Sequence, residues 1–138
     1  MKEKYWALAD HLSDHLWMTN NLDLDLLKQF PEFIYEGEGY RVLFLDKKED
    51  LDVSGFTGKS FSTSKEGLDL YIENVEDYNR DVQEGKVRLF FKAEIIGFDI
   101  RKALTFFKDN EGLTEKTIAA FIDEDEVISF EVSNLTQY

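Results

Sequence analysis

The chain has 138 residues, 43% of them hydrophobic and 14% aromatic, and is long enough to fold as one domain, 1–138, around a sizeable core. It contains no cysteine, which excludes disulfides, thiolate metal sites and a cysteine nucleophile. Its formal net charge of −13 repels nucleic acid and anionic lipid and favours basic protein partners.

Nothing at the start of the chain predicts export. The residues from Met1 to Trp6 lack the continuous apolar core of a signal peptide, and no apolar run approaches the length of a membrane span. We therefore expect a cytoplasmic protein with neither a membrane nor a nucleic acid as partner.

The N-terminal part predicts two helices. In the first, apolar residues recur at helical spacing: Tyr5, Leu8, Ala9, Leu12 and Leu16. Asn20-Asn21 ends this helix, and a second short helix through Leu26 and Leu27 ends at Phe30-Pro31. We expect residues 1–36 to form a helical segment packed on the rest of the domain.

Two histidines, His11 and His15, lie one helical turn apart on the first predicted helix. A metal site needs further ligands, and Asp14 is the only candidate close by in the sequence. We therefore expect surface histidines on an amphipathic helix and no bound metal.

The middle of the chain predicts a strand and a helix. Gly37 and Gly39 indicate a turn, after which the residues from Tyr40 to Leu45 read as a strand buried on both faces. A polar loop, 46–60, leads to Phe61-Ser62-Thr63-Ser64. The apolar positions of an amphipathic helix follow: Leu68, Tyr71, Ile72 and Val75.

The remaining elements are mostly strands. Val87 to Ile96 predicts a long strand, and Asp99 is placed to cap a helix from Ile100 to Phe107. A turn at 109–112 precedes two further predicted strands, near 118–122 and 126–132. Helices first and strands later, with two helices between them, predict an α+β fold.

An acidic run, Asp123-Glu124-Asp125-Glu126, leads directly into the last predicted strand. If both are extended, Glu124 and Glu126 point to the same side, and their repulsion tends to raise the pKa of one of them. The alternative is a solvated acidic turn with no function.

Taken in order, Tyr40-Arg41, Ser62-Thr63-Ser64 and Glu124-Asp125-Glu126 resemble the motifs of mono-ADP-ribosyltransferases of the Arg–Ser–Glu class, of bacterial or phage type. The resemblance covers the chain from Gly39 to its end, including Gly97-Phe98-Asp99 as a turn. It implies split mixed or antiparallel sheets that form a cleft for NAD, with no metal.

The resemblance also implies roles for the site residues. Glu126 faces the oxocarbenium-like ribose as the bond to nicotinamide breaks, Ser62 donates a hydrogen bond to Glu126, and Glu124 orients or deprotonates the acceptor. The NAD-binding residues it implies are Arg41, Tyr40, Ser62, Thr63 and Ser64. Tyr78 and Arg80 are candidates to cover the nicotinamide.

Local alternatives exist for these residues. Thr63-Ser64-Lys65-Glu66 fits a capping box, so the hydroxyls can serve to begin a helix. Arg41 can lie on an edge strand and reach solvent or one of many carboxylates.

We expect an enzyme that cleaves NAD, releases nicotinamide and transfers ADP-ribose to a protein side chain, arginine first, on host machinery in the cytoplasm. An NAD glycohydrolase is the alternative within the same fold. From a different class, the charge favours a non-enzymatic acidic module that inhibits a basic host protein by charge mimicry.

Overall fold

The structure, a computed structural model, describes residues 2–18, 22–45, 56–73 and 87–138. Its helices and one antiparallel sheet confirm the α+β prediction. The predicted apolar position Val75 and the candidate residues Tyr78 and Arg80 lie outside the described residues.

The N-terminal helices are where the apolar spacing predicts them. Helix α1 spans Glu3–Met18 and buries Leu8, Ala9 and Leu12. Helix α2 spans Leu24–Leu27, and a 3₁₀ turn over Pro31–Phe33 leads directly into the sheet. None of the helices that the structure describes is long and apolar enough to cross a membrane.

Strand β1 spans Ile34–Leu45, so the predicted turn at Gly37 and Gly39 is wrong. Both glycines pair with a second long strand, β3 (Val87–Asp99), inside the ladder. Packing explains the glycine at position 39, because a Cβ there would lie 2.6 Å from Ile95 Cδ1. The glycine thus admits a close side-chain approach within an extended strand.

The four strands form one sheet in the order β1-β3-β4-β2, and every pair is antiparallel. Strand β2 is Ser60–Phe61, β3 is Val87–Asp99 and β4 is Val127–Gln137. Ser62 also pairs with Tyr40 of β1 through two backbone hydrogen bonds of 2.7 and 2.8 Å. The sheet therefore curls until its first and last strands meet, and split sheets are not seen among the described residues.

Three further helices complete the fold. Helix α3 begins at residue 65 and is described to residue 73. Helix α4 spans Ile100–Asn110, and Asp99 caps it by accepting a hydrogen bond from Lys102 N, as predicted. Because Asp99 ends β3 and caps α4 at once, residues 97–99 belong to the strand, and the predicted turn there is wrong.

Helix α5 spans Glu115–Phe121, so the strand predicted near 118–122 is also wrong. Thr114 caps this helix by accepting a hydrogen bond from Thr117 N, while Thr117 and Ile118 are buried. The cap signal overrides the apolar run, which is too short to distinguish helix from strand by periodicity.

The apolar side chains form three clusters. The helical core joins α1, α2, α4 and α5 to the sheet, the strand core lies within the curled sheet, and the outer cluster packs α3 against β1. Central residues of the helical core are Leu12, Phe30, Phe98, Leu104 and Phe107; those of the strand core are Phe56, Phe61, Phe91 and Ile95; those of the outer cluster are Val42, Leu68 and Ile72.

Candidate functional site

Residues 60–62 bring the separate sequence motifs together. Ser60 and Phe61 pair with Ile128 and Val127 at the start of β4, while Ser62 pairs with Tyr40 on β1. The acidic loop before β4 and the arginine of β1 are therefore joined by one short strand. This contact depends on the closure of the sheet.

Arg41 is the basic group at this junction. Its Nη1 donates a hydrogen bond of 2.7 Å to the carbonyl oxygen of Ser60. Its Nε is buried and has no hydrogen-bond partner among the described residues. Burial lowers the pKa of the guanidinium from its ordinary value, although an arginine remains charged at neutral pH. A buried cationic donor without a partner is suited to an anionic oxygen.

Glu126 lies on the other side of Ser60. The Ser60 hydroxyl donates to Glu126 Oε1 over 2.7 Å, and His15 Nε2 lies 3.2 Å from the same oxygen. The side chains of His15 and Glu126 are 18% and 20% exposed. The backbone of Glu126 is also held, because its carbonyl oxygen accepts a hydrogen bond from Ile100 N.

The serine that contacts Glu126 is therefore Ser60 and not Ser62. Side chains alternate along β2, and Phe61 packs in the strand core, so Ser60 faces away from that core. Ser62 is buried where the chain turns to pair with Tyr40. Ser60 and Ser62 are two residues apart, so alternation along a strand puts both on one face and does not decide which of them contacts Glu126. The pairing of Ser60 with β4 decides it.

Thr63 and Ser64 contact the middle residue of the acidic motif. Asp125 accepts hydrogen bonds from Thr63 N (2.8 Å), Thr63 Oγ1 (2.9 Å) and Ser64 Oγ (3.3 Å). Ser64 Oγ accepts a hydrogen bond from Gly67 N and so caps α3. The capping box in the sequence begins at Thr63, whereas the residue that caps α3 is the next one, Ser64. Asp125 is a contact that the sequence did not reveal.

Glu124 is half-buried in the loop before β4, which begins at Val127. Burial, and secondly the charge of Glu126, raise the pKa of the Glu124 carboxyl above its ordinary value. The predicted repulsion between the two acids is thus present, although they precede the strand. A raised pKa brings a carboxylate closer to the range useful for a general base.

Tyr40 lies on the side of β1 opposite Arg41. Its ring packs against the outer cluster, and its hydroxyl donates to Glu38 Oε2 over 2.9 Å. That hydrogen bond, with burial and the charge of Glu38, raises the pKa of the Tyr40 phenol. Tyr40 and Arg41 therefore present different faces of the strand to a ligand.

The histidines are not simple surface residues. His11 Nε2 accepts a hydrogen bond from Asp23 N, and His15 contacts Glu126. Within the described ranges, no group of three or more histidine, aspartate or glutamate side chains is arranged to hold a metal ion. No sequence signal could have found the His15 contact, because its partner lies 111 residues away.

Comparisons with known proteins identified no protein similar to this chain. No family model, no curated protein and no solved structure matches the chain.

Proposed function

We propose that this chain is a mono-ADP-ribosyltransferase that cleaves NAD and transfers ADP-ribose to a protein, with arginine as the first candidate acceptor. The observation that carries the proposal is the double contact of Ser60. Its carbonyl oxygen accepts from Arg41, and its hydroxyl donates to Glu126. A cationic and an anionic group from distant segments thereby meet at one residue.

Arg41 is the proposed anchor for the NAD pyrophosphate or an adjoining ribose. A guanidinium presents a planar array of donors that matches phosphate oxygens in a way a lysine cannot reproduce. The unpartnered, buried Nε supports this role, because a ligand oxygen there satisfies a donor that otherwise carries a desolvation cost. A local positive group is required for binding an anionic dinucleotide, because the net charge of −13 on the chain otherwise repels it.

Glu126 is the proposed catalytic carboxylate. As the bond between nicotinamide and ribose breaks, its electron pair leaves with nicotinamide and positive charge develops on the ribose ring. A fixed carboxylate stabilises that charge where it forms, which is where electrostatic catalysis is largest. The hydrogen bond from Ser60 supports this role because it holds one oxygen of the carboxylate in place.

Glu124 is the proposed base for the acceptor. An arginine acceptor is protonated at physiological pH and must lose a proton as it attacks the ribose carbon. The raised pKa of Glu124 and its position beside Glu126 support this assignment. Water at the acceptor position makes the same site an NAD glycohydrolase. A basic cytoplasmic protein is the acceptor that the charge of the chain favours.

The test is to incubate the purified protein with NAD labelled in its adenylate part and a bacterial lysate, and to measure nicotinamide release and labelled protein. Glu126→Gln, nearly isosteric, is expected to lower nicotinamide release at least about 100-fold, the scale of losing a transition-state charge contact. Asp123→Asn is the matched control, because it makes the same change of charge at an exposed neighbour.

Each outcome has one meaning. Nicotinamide release without labelled protein identifies a glycohydrolase. No release from the parent protein, together with salt-sensitive binding of a basic protein that survives Glu126→Gln, refutes the enzyme and identifies the acidic binding module.

A further inference from the structure

The last turn of α1 lies over the acidic loop and is held there at two points. Trp17 Nε1 donates to Thr117 Oγ1 over 2.9 Å, and the Trp17 ring meets Phe121 edge-on. These contacts fix the end of α1 against α5. They bring His15 within hydrogen-bonding distance of Glu126.

The chemistry of the two groups determines which atom carries the proton in the contact between His15 and Glu126. An ionised carboxylate only accepts hydrogen bonds, so His15 Nε2 is the donor. Ser60 donates to the same atom, Oε1. Both hydrogen bonds fall on Oε1, and Glu126 Oε2 has no hydrogen-bond partner among the described residues.

We propose that His15 is a positioning residue for Glu126. Two donors that approach one oxygen from different elements fix the position of Oε1, and with it the rotamer of the Glu126 side chain, more firmly than Ser60 alone. They direct Oε2 towards the reacting ribose. This inference rests on the proposed function and assigns a task to α1, the element that precedes every motif in the site.

The test begins with the orientation of Glu126, which needs no enzyme activity. Three-bond NMR couplings to Glu126 Cγ report its χ1 rotamer in the purified protein. His15→Phe keeps a ring and removes the donor, and is expected to convert one rotamer into an averaged set. His15→Gln, whose amide nitrogen can replace Nε2 as donor, is expected to restore the single rotamer. His11→Phe is the matched control, since its ring contacts Asp23 N instead.

The second measurement is the steady-state kinetics of nicotinamide release. His15→Phe is expected to lower kcat about tenfold, with KM for NAD changed less than twofold. A tenfold loss is at the lower end of the effect of a hydrogen bond to a charged group, because both side chains are partly exposed. His15→Gln is expected to recover most of kcat. If His15→Phe does not fold, His15→Asn, whose amide is too short to reach Glu126, replaces it.

The outcomes separate the inference from the function beneath it. An unchanged Glu126 rotamer in His15→Phe overturns the inference whatever the activity. A rise in kcat also overturns it, because His15 then covers the site, and so does a change confined to KM. If the parent protein has no NAD turnover and His15→Phe still converts the single Glu126 rotamer into an averaged set, the proposed function is refuted and the positioning contact is retained.

Discussion

Asp125→Ala removes the carboxylate that ties the acidic loop to the start of α3. Asp125 accepts hydrogen bonds from the amide and hydroxyl of Thr63 and from the hydroxyl of Ser64. It also packs against Gly67, where an added Cβ would meet its carboxylate. The substitution therefore leaves the Thr63 amide without its partner and opens space beside the helix.

The expected cost follows from the geometry. A hydrogen bond to a charged group contributes about 1.5–3 kcal/mol, and two of the three bonds are of 2.8 and 2.9 Å. The site is partly buried, so water recovers part of the loss. We expect the free energy of unfolding to fall by about 2–4 kcal/mol, which lowers Tm by roughly 7–14 °C for a domain of this size.

Urea denaturation and calorimetry measure the change, with Asp10→Ala as control on an exposed part of α1. We expect the control to alter stability by less than about 0.5 kcal/mol. Thr63→Val, which removes only the hydroxyl bond, is expected to give an intermediate loss. An Asp125→Ala protein as stable as the control would refute the account of this contact.

Three further predictions concern other parts of the molecule. Gly97→Ala is expected to destabilise the fold by about 2–3 kcal/mol in urea, because a Cβ there would lie 2.3 Å from a β4 carbonyl oxygen; wild-type stability would contradict the packing. Glu124→Gln is expected to be more stable than the parent at pH 7. The pKa of Glu124 is raised in the folded protein, so its ionisation destabilises the fold as pH rises above the ordinary value of 4.5. That advantage should vanish below pH 4.5, and a gain independent of pH would count against it. Arg41→Lys is expected to weaken NAD binding at least about tenfold by calorimetry, because lysine lacks the planar donors; unchanged affinity would remove Arg41 from the site.

The local signals in the sequence were sufficient for several elements. The apolar spacing of α1 and the Asp99 cap of α4 are confirmed, since both depend on residues within a few positions of each other. The same signals failed at two elements. Gly39 suggests a turn, but it pairs with β3 inside a strand, where its missing Cβ leaves room for Ile95. The residues after Thr114 suggest a strand, but the cap begins a helix.

The sequence by itself determined that the chain folds as an α+β protein and that an arginine, a serine-rich turn and an acidic loop occur in a fixed order. Only the tertiary structure decided which side chains meet. Ser60 rather than Ser62 contacts Glu126 across 66 residues, and His15 reaches the same oxygen across 111. Periodicity and caps act within a few residues, whereas these contacts depend on the closure of the sheet and the packing of α1 against α5.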